Sequence, residues 1–316
     1  MSDPIADVPL SPPAAEPVHA PGATSSGKPR GLFGDAWAEL RTKPMFWIAA
    51  SFITLFVVMA AFPQLFAHAD PTRTNLDLSR VGPSSEHWFG NDKLGRDVYA
   101  RCIYGAQASI VVSLLSTLGT LLLGGAMGVL SGYVGGWVDA VLSRIADVFF
   151  GLPFVLGALI ILFTFNPPGS EKSKFTIEGL VILSLVLLSW PVAMRLMRAA
   201  VLATREADYI VAARALGAGP GRIIRKHLIP NCLAPMLVYA TILVGSFIGA
   251  EATLSFLGVG LKSPVVSWGI IVSEAKGSFE NSPFLLGFPA IFLVTAVLSF
   301  VMLGEAIREA LDPKLR

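Results

Sequence analysis

The side chains best spaced for chemistry are Gly22, Gly27 and Lys28, which read G-x-x-x-x-G-K. That pattern opens a loop whose backbone amides and lysine cradle nucleotide phosphates. Pro29 stands where a magnesium-binding serine or threonine is required, no apolar strand precedes the stretch, and no helical pattern follows closely. Without strand, turn and helix the amides are not aimed at phosphate. The match is read as coincidence, and the chain is not expected to bind ATP by itself. Cys102 and Cys232 are too far apart for a metal spacing or a disulfide framework. His19, His68, His87 and His227 do not cluster, so no metal site is assigned. The sequence contains no G-x-S-x-G, no H-E-x-x-H and no paired intramembrane aspartates, and no catalytic residue is assigned.

The elements that would carry any chemistry follow from composition. Of 316 residues, 53% are hydrophobic and 15% charged, against about 25% charged in a soluble domain. Mean hydropathy is +0.65, and the net charge of +2 is too small to suggest nucleic acid. A bilayer core about 30 Å thick needs about 20 apolar residues in a helix. Six segments qualify, at about 46–66, 109–131, 144–165, 179–197, 235–257 and 284–303. The third carries Asp147 near its start, which puts its first turn at the interface. Backbone groups in lipid must be satisfied within the segment, so all six are expected to be helices. The expected fold is an all-α integral membrane protein with six transmembrane helices. Residues 1 to about 30, rich in Pro, Ala and Ser, cannot build a core and read as a disordered tail. They lack the basic start and apolar stretch of a secretory signal.

Lysine and arginine set the orientation. Lys28, Arg30, Arg41 and Lys43 precede the first span. Arg195, Arg198, Arg205, Arg214, Arg222, Arg225 and Lys226 lie between spans four and five, against only Glu206 and Asp208. Arg308, Lys314 and Arg316 close the chain. With six spans these regions share one side, expected to be the cytoplasm, so both termini are expected there. The connections after spans three and five balance each base with an acid and are assigned outside, with Cys102 near the outer face and Cys232 cytoplasmic. Arg144 and Asp147, three apart, are expected to pair at the inner end of span three.

The fourth connection contains "DYIVAARALGAGPGRIIRKHLIPN", residues 208–231. Residues 208–216 read as a short helix with Tyr209, Ala212, Ala213 and Leu216 on one face. Asp208 is a cap or first-turn acid. Gly217 stands where a left-handed C-terminal residue is needed. "RIIRKHLI" reads as a second short helix, with Pro230 and Pro235 marking re-entry into the membrane. Small residues let a partner's backbone come close, and the flanking bases suit anionic lipid or an acidic partner. The bases alone support only a solvated loop; helix, glycine, turn and proline at fixed distances point to a docking element.

This segment resembles the EAA loop of binding-protein-dependent ABC importer permeases, E-A-A, three residues, Gly, nine residues, I-x-L-P. Ala212, Ala213, Gly217 and Pro230 match in register, while Val211, His227 and Ile229 depart from it. "HWFGNDKLGRDVYARCIYGAQASI" from His87 and "EATLSFLGVGLKSPVVSWGIIVSEAK" from Glu251 resemble stretches of dipeptide, oligopeptide and nickel permeases, as does the C-terminal "LGEAIREALDPKLR". The resemblance runs from about Arg41 to Arg316. It implies a MetI-like permease core with an extra N-terminal span and external loop, in a bacterial cell membrane, as the second permease of a pair. It implies as partners a second homologous permease, two ATPase subunits that bind ATP and Mg, an external substrate-binding protein and a peptide substrate. No cofactor is expected in this chain. The EAA-type loop, 205–230, would couple to the ATPases through Asp208, Tyr209, Ala212, Ala213, Leu216, Gly217 and Pro230. The parts so drawn are a tail, 1–44; a first span and external segment, 45–104; a five-helix core, 105–305; and a C-terminal tail, 306–316.

Within "FGNDKLGRDVYAR", Asp92, Lys93, Arg96 and Asp97 fall at helical spacings and predict an interfacial amphipathic helix. Local pairing of Asp92 with Arg96 and of Asp97 with Arg101 is favoured there, and contact of Asp92, Arg96 and Asp97 with an external binding protein is the functional alternative. Glu251 lies late in the fifth span, where an ionisable group costs about 2.5–3.5 kcal/mol at full depth. A structural bond to a neighbouring helix is ranked ahead of attracting a peptide's amino terminus. Phe150 and Trp190, with Phe149, Pro153 and Pro191, are candidates to kink a span or line the substrate path, packing being the commoner role. The rival readings are a stand-alone secondary transporter, which needs coupling residues in the spans, and the same importer type carrying nickel chelates or glutathione.

Overall fold

The computed structural model describes residues 32–167 and 172–311. The tail with Gly22, Gly27, Lys28 and Pro29, and the bases Lys314 and Arg316, lie outside these residues. Among the described residues the ordered elements are helical: α1 (Leu32–Leu40), α2 (Pro44–Ala61), α3 (Val98–Val134), α4 (Gly136–Phe150), α5 (Phe154–Phe165), α6 (Lys174–Thr204), α7 (Asp208–Ala215), α8 (Pro220–Ile223), α9 (Ile229–Phe256), α10 (Trp268–Ala275) and α11 (Phe284–Leu311). Five helical runs are long and apolar enough to cross a membrane, and α4 with α5 makes a sixth crossing if that bent pair is one span.

The third expected span is therefore not one straight helix. It turns by 88° between α4 and α5. Pro153 supplies the reason, since its missing N–H and ring cannot continue a helix. Arg144 lies 3.6 Å from Asp147, as expected, but the shorter partner of Asp147 is Arg195 of α6, at 2.5 Å. The fifth span also departs from expectation. The second short helix expected over "RIIRKHLI" and the fifth span are one run: the chain is helical from Pro220 through Pro230 and Pro235 to Phe256, passing through a π-helical stretch at Ile224–Leu228. Pro230 sits in the first turn of α9, where its missing N–H is tolerated. The boundary drawn at 104/105 falls inside α3, and the one at 305/306 inside α11.

α3 is the axis of the bundle. Its 37 residues extend about 55 Å at 1.5 Å per residue, well beyond the hydrocarbon core. Gly124, Gly128 and Gly132 stand four apart on one face and lie against α6. A β-carbon on Gly124 would meet the Trp190 carbonyl oxygen at 2.5 Å, one on Gly128 the Met194 carbonyl oxygen at 2.6 Å, and one on Gly132 the Val201 side chain at 2.9 Å. Lipid offers helices no hydrophobic drive to associate, so close backbone approach through small residues supplies dispersion contact instead. The pattern is legible in the sequence as G-x-x-x-G-x-x-x-G.

The outer layer puts α2 and α11 beside the start of α3, with Phe56, Trp268 and Phe292 in edge-to-face contact. At the opposite end of α11, Lys43 Nζ meets Glu309 Oε2 at 2.6 Å, and that carboxylate holds the Lys43 ammonium above the ordinary lysine value. The start of α2 and the end of α11 thus lie together. Both cysteines are buried.

Gly128→Leu is expected to abolish folding of the α3–α6 pair, because overpacking alone costs about 1–3 kcal/mol and the blocked atom is backbone. Gly249→Ala, with nothing within 4 Å of the added carbon, should fold normally. Detergent-solubilised yield and thermal unfolding of both variants measure this; a normal yield of Gly128→Leu would refute the close approach.

Candidate docking segment

Residues 205–230 form a projection between α6 and α9. The Ala207 amide donates to the Thr204 carbonyl at 3.1 Å, turning the chain out of α6. Asp208 is a first-turn acid of α7 and not its cap, which is Ala207. One side chain anchors the helix: Ile210 is fully buried, packed with Val201, Ile223, Leu228 and Cys232. The expected face points the other way. Leu216 is 88% exposed and Tyr209 45%, with Ala212 exposed and Ala213 half-buried.

The end of α7 is a Schellman motif. The Ala218 amide donates to the Ala213 carbonyl at 3.0 Å and the Gly217 amide to Arg214 at 2.9 Å, with Gly217 at φ +82°. These bonds satisfy carbonyls that the helix end would leave bare, and the left-handed residue makes them possible. Gly219 and Pro220 then start α8, and the π-helical stretch joins it to α9. Asn231 Nδ2 donates to the His227 carbonyl at 2.6 Å. Arg205 Nη1 donates to the Gly132 carbonyl at 3.0 Å, and the Arg214 guanidinium lies 5.9 Å from the Tyr133 ring centroid. The projection is thus tied to the end of α3 while its apolar tip and its bases Arg222, Arg225 and Lys226 stay exposed. Ile210, the buried side chain of α7, was missed in the sequence because a single isoleucine in an alanine-rich run carries no period.

The candidate path residues are not brought together. Glu251 is fully buried. Ser109 of α3 donates to it at 3.0 Å, Ser255 of α9 at 2.7 Å and Ser267 at 2.9 Å. Each of these hydroxyls also accepts a backbone N–H, from Trp268 at 3.3 Å, Leu261 at 3.0 Å and Ile270 at 3.3 Å respectively. Each serine has one proton, and all three are directed to the carboxylate. Glu251 therefore ties α3 and α9 to the start of α10. Trp190 is buried against Phe149, ring centroids 5.5 Å apart, and packs beside Gly124, about 22 Å along α3 from Ser109. Phe150 is exposed, with the Arg195 guanidinium 4.0 Å over its ring.

The amphipathic helix expected through Asp92–Arg101 is absent in its first half. Residues 91–97 form a tight loop closed by a bridge between Asn91 and Asp97, and α3 starts only at Val98. Gly95, at φ +70°, makes the turn, and a β-carbon there would overlap the Asn75 carbonyl. Asp97 is the α3 cap, accepting from the Ala100 amide at 2.8 Å, and also bonds His87 at 2.9 Å. Asp92 pairs with Arg96 at 2.7 Å, as expected, and in addition with Arg101 at 2.7 Å. Glu274 of α10 meets the same two arginines at 2.5 and 2.6 Å. Asp92 is only 7% exposed, so this cluster is an internal clamp. Among the described residues no group of three or more His, Cys, Asp or Glu side chains is arranged to hold a metal ion.

Comparison with known proteins sets this arrangement in a family. Residues 124–316 match the binding-protein-dependent transport system inner membrane component, and residues 31–83 match the N-terminal TM domain of oligopeptide transport permease C. The chain is 34% identical over 282 residues to the dipeptide transport system permease protein DppC of Alkalihalophilus pseudofirmus, covering 89% of this chain and 90% of that protein. It is 34% identical over 281 residues to the glutathione transport system permease protein GsiD of Escherichia coli O6:K15:H31, covering 89% and 90%. A chain of the MetNI methionine ABC transporter, solved in inward-facing conformations, shares the fold with a TM-score of 0.54 at 21% identity, covering 67% of this chain and 96% of that one. A helical bundle with five or six candidate crossings, its first in the region matched by the N-terminal TM domain, the chain belongs to the family of binding-protein-dependent transport system inner membrane components.

Proposed function

We propose that this chain is one of two permease subunits of an ATP-driven importer of di- and oligopeptides. The observation that carries the reading is the projection between α6 and α9, anchored by Ile210, ended by Gly217 in the left-handed region and tipped by the exposed Leu216. A rigid helix with an exposed apolar tip outside the spans fits a groove on another protein. Asp208, Tyr209, Ala212, Ala213, Leu216, Gly217 and Pro230 are assigned to coupling, Pro230 by holding the start of α9. Two ATPase subunits bind ATP and Mg and supply the hydrolysis, an external binding protein delivers the peptide, and this chain performs no catalysis. ATP binding closes the ATPase pair, the docked segments move, and the path between the two permeases changes its open side. Both termini and the projection lie in the cytoplasm, and the segment between α2 and α3 lies outside the bacterial cell membrane. Phe150, exposed beside α6, is the path candidate of the three; Glu251 and Trp190 act by holding helices. The GsiD relative favours one second reading within the same mechanism, glutathione as the peptide carried.

Docking is tested by Ala213→Glu and Gly217→Val. The first adds charge and bulk at the contact. The second puts a β-branched residue at a positive φ, with no neighbour within 4 Å to be disturbed. Both should reach the membrane in normal amount, lose ATPase association in a pull-down, and reduce uptake of a labelled dipeptide by tenfold or more. Arg222→Ala should do less. Full association and uptake in both variants would return the segment to an ordinary basic loop. Uptake of labelled glutathione in parallel separates the two substrates.

Orientation needs new reporters, because buried Cys102 and Cys232 will not react with an impermeant thiol reagent. With both replaced by alanine, a cysteine at Thr74 should label in intact cells and one at Ala215 only after permeabilisation. The reverse pattern would invert the topology.

A further inference from the structure

An open groove of about 560 Å³ runs beside the end of α3, lined by Leu122, Gly125 and Val129 of α3, Met197 of α6 and Leu233 and Leu237 of α9. Every side chain that lines it is apolar. α2 and α11 pack on the start of α3; near its end Leu122 is 65% exposed and Leu130 51%. Ile224 and Ile229 line the groove beside the projection. In a regular α-helix, residues five apart point about 140° away from each other. The π-helical bonding of Ile224–Leu228, from i to i+5, brings both isoleucines round to one side. The irregular turn is thus part of the groove wall. Arg225 and Lys226 lie within that turn and Arg222 shortly before it, and all three are exposed. Among the described residues none of the three is paired with a carboxylate; Glu206 pairs with Arg205 instead.

We propose that this groove is a binding site for an anionic phospholipid of the inner leaflet, with an acyl chain against Leu122, Gly125 and Leu233 and the headgroup on Arg222, Arg225 and Lys226. The inference rests on the functional reading above, which puts the projection in the cytoplasm. Basic pockets between spans on that side suit anionic headgroups. The groove lies among the spans, where a soluble ATPase cannot reach, and its rim at the projection carries the three bases. A helix of the second permease would cover the apolar wall and leave the bases unmatched. A zwitterionic lipid would fill the wall and bring its own cation to them. An amphiphile with an apolar tail and an anionic head satisfies both parts of the site.

The test uses the assembled importer in phosphatidylcholine nanodiscs containing a phosphatidylglycerol with a photoreactive group on one acyl chain. Labelling should map to the peptides that carry Leu122 and Leu233, be displaced by unlabelled phosphatidylglycerol, and exceed that from the matching phosphatidylcholine probe. Arg225→Gln combined with Lys226→Gln should cut it about tenfold or more, because each base near an anionic lipid contributes separately. Gly125→Leu plugs the groove. A β-carbon there meets only the Met236 and Met197 methyl carbons, at 3.7 and 3.8 Å, so this variant should assemble in normal yield and lose the labelling. Equal labelling by the two probes, or undiminished labelling in both variants, would overturn the proposal. So would a photo-crosslinker at Leu237 that joins the second permease and no lipid. If the labelling pattern holds but no ATPase copurifies and no dipeptide is taken up, the functional reading fails and the lipid site stands.

Discussion

The close contact of α3 with α6 is the constraint on which the rest depends. Three glycines at four-residue spacing let the two backbones approach until a single added β-carbon would strike a carbonyl oxygen. In lipid this contact substitutes for the hydrophobic effect, which cannot distinguish one apolar helix from another. Because α3 is longer than the bilayer is thick, fixing it against α6 also fixes what is attached to its two ends. At one end Arg205 bonds the carbonyl of Gly132, so the projection inherits its place from the glycine face itself. At the other end Arg101 reaches into the clamp with Asp92 and Glu274.

Charge is handled differently at different depths. Deep in the bundle, Glu251 is satisfied by three serine hydroxyls, each also accepting from a backbone amide. Removing the carboxylate would leave three donors without an acceptor, and buried unpaired polar groups cost about 1–3 kcal/mol each. At the start of α3, carboxylates and guanidinium groups alternate, Asp92 and Glu274 each meeting Arg96 and Arg101. At the far end, Asp139 of α4 receives both Arg198 Nε and Nη2, at 2.5 and 2.6 Å, which fastens the bent α4–α5 pair to α6. The Asp147–Arg195 pair adds a second polar link between the same two helices.

The projection has a regular helix stop at one end and an irregular helical turn at the other. The Schellman closure at Gly217 is a locally determined stop that needs nothing from the partner. The π-helical stretch at Ile224–Leu228 is the opposite: an irregular turn inside a helix that continues for another seven turns or so at about 3.6 residues each. Such insertions concentrate at functional positions. α9 in turn is bonded through Glu251 to α3 and to the start of α10.

The sequence by itself determined the membrane class, the approximate place of every crossing, the helix-stop at Gly217 and the pairing of Asp92 with Arg96, because apolar run length, left-handed glycine geometry and short-range charge spacing are local properties. It misread the Asp92–Arg101 stretch as a helix, since the same i, i+4 spacing is met by a tight loop once Gly95 adopts positive φ against Asn75. It separated the short helix over "RIIRKHLI" from the fifth span, since a proline in a helix's first turn looks the same whether or not the preceding residues are helical. Only the tertiary structure decided which residue anchors α7, that Glu251 is enclosed by serines from three segments, and that Glu274, 178 residues from Arg96, completes the clamp. Those contacts join residues far apart in the chain, and no local periodicity encodes which distant partner arrives.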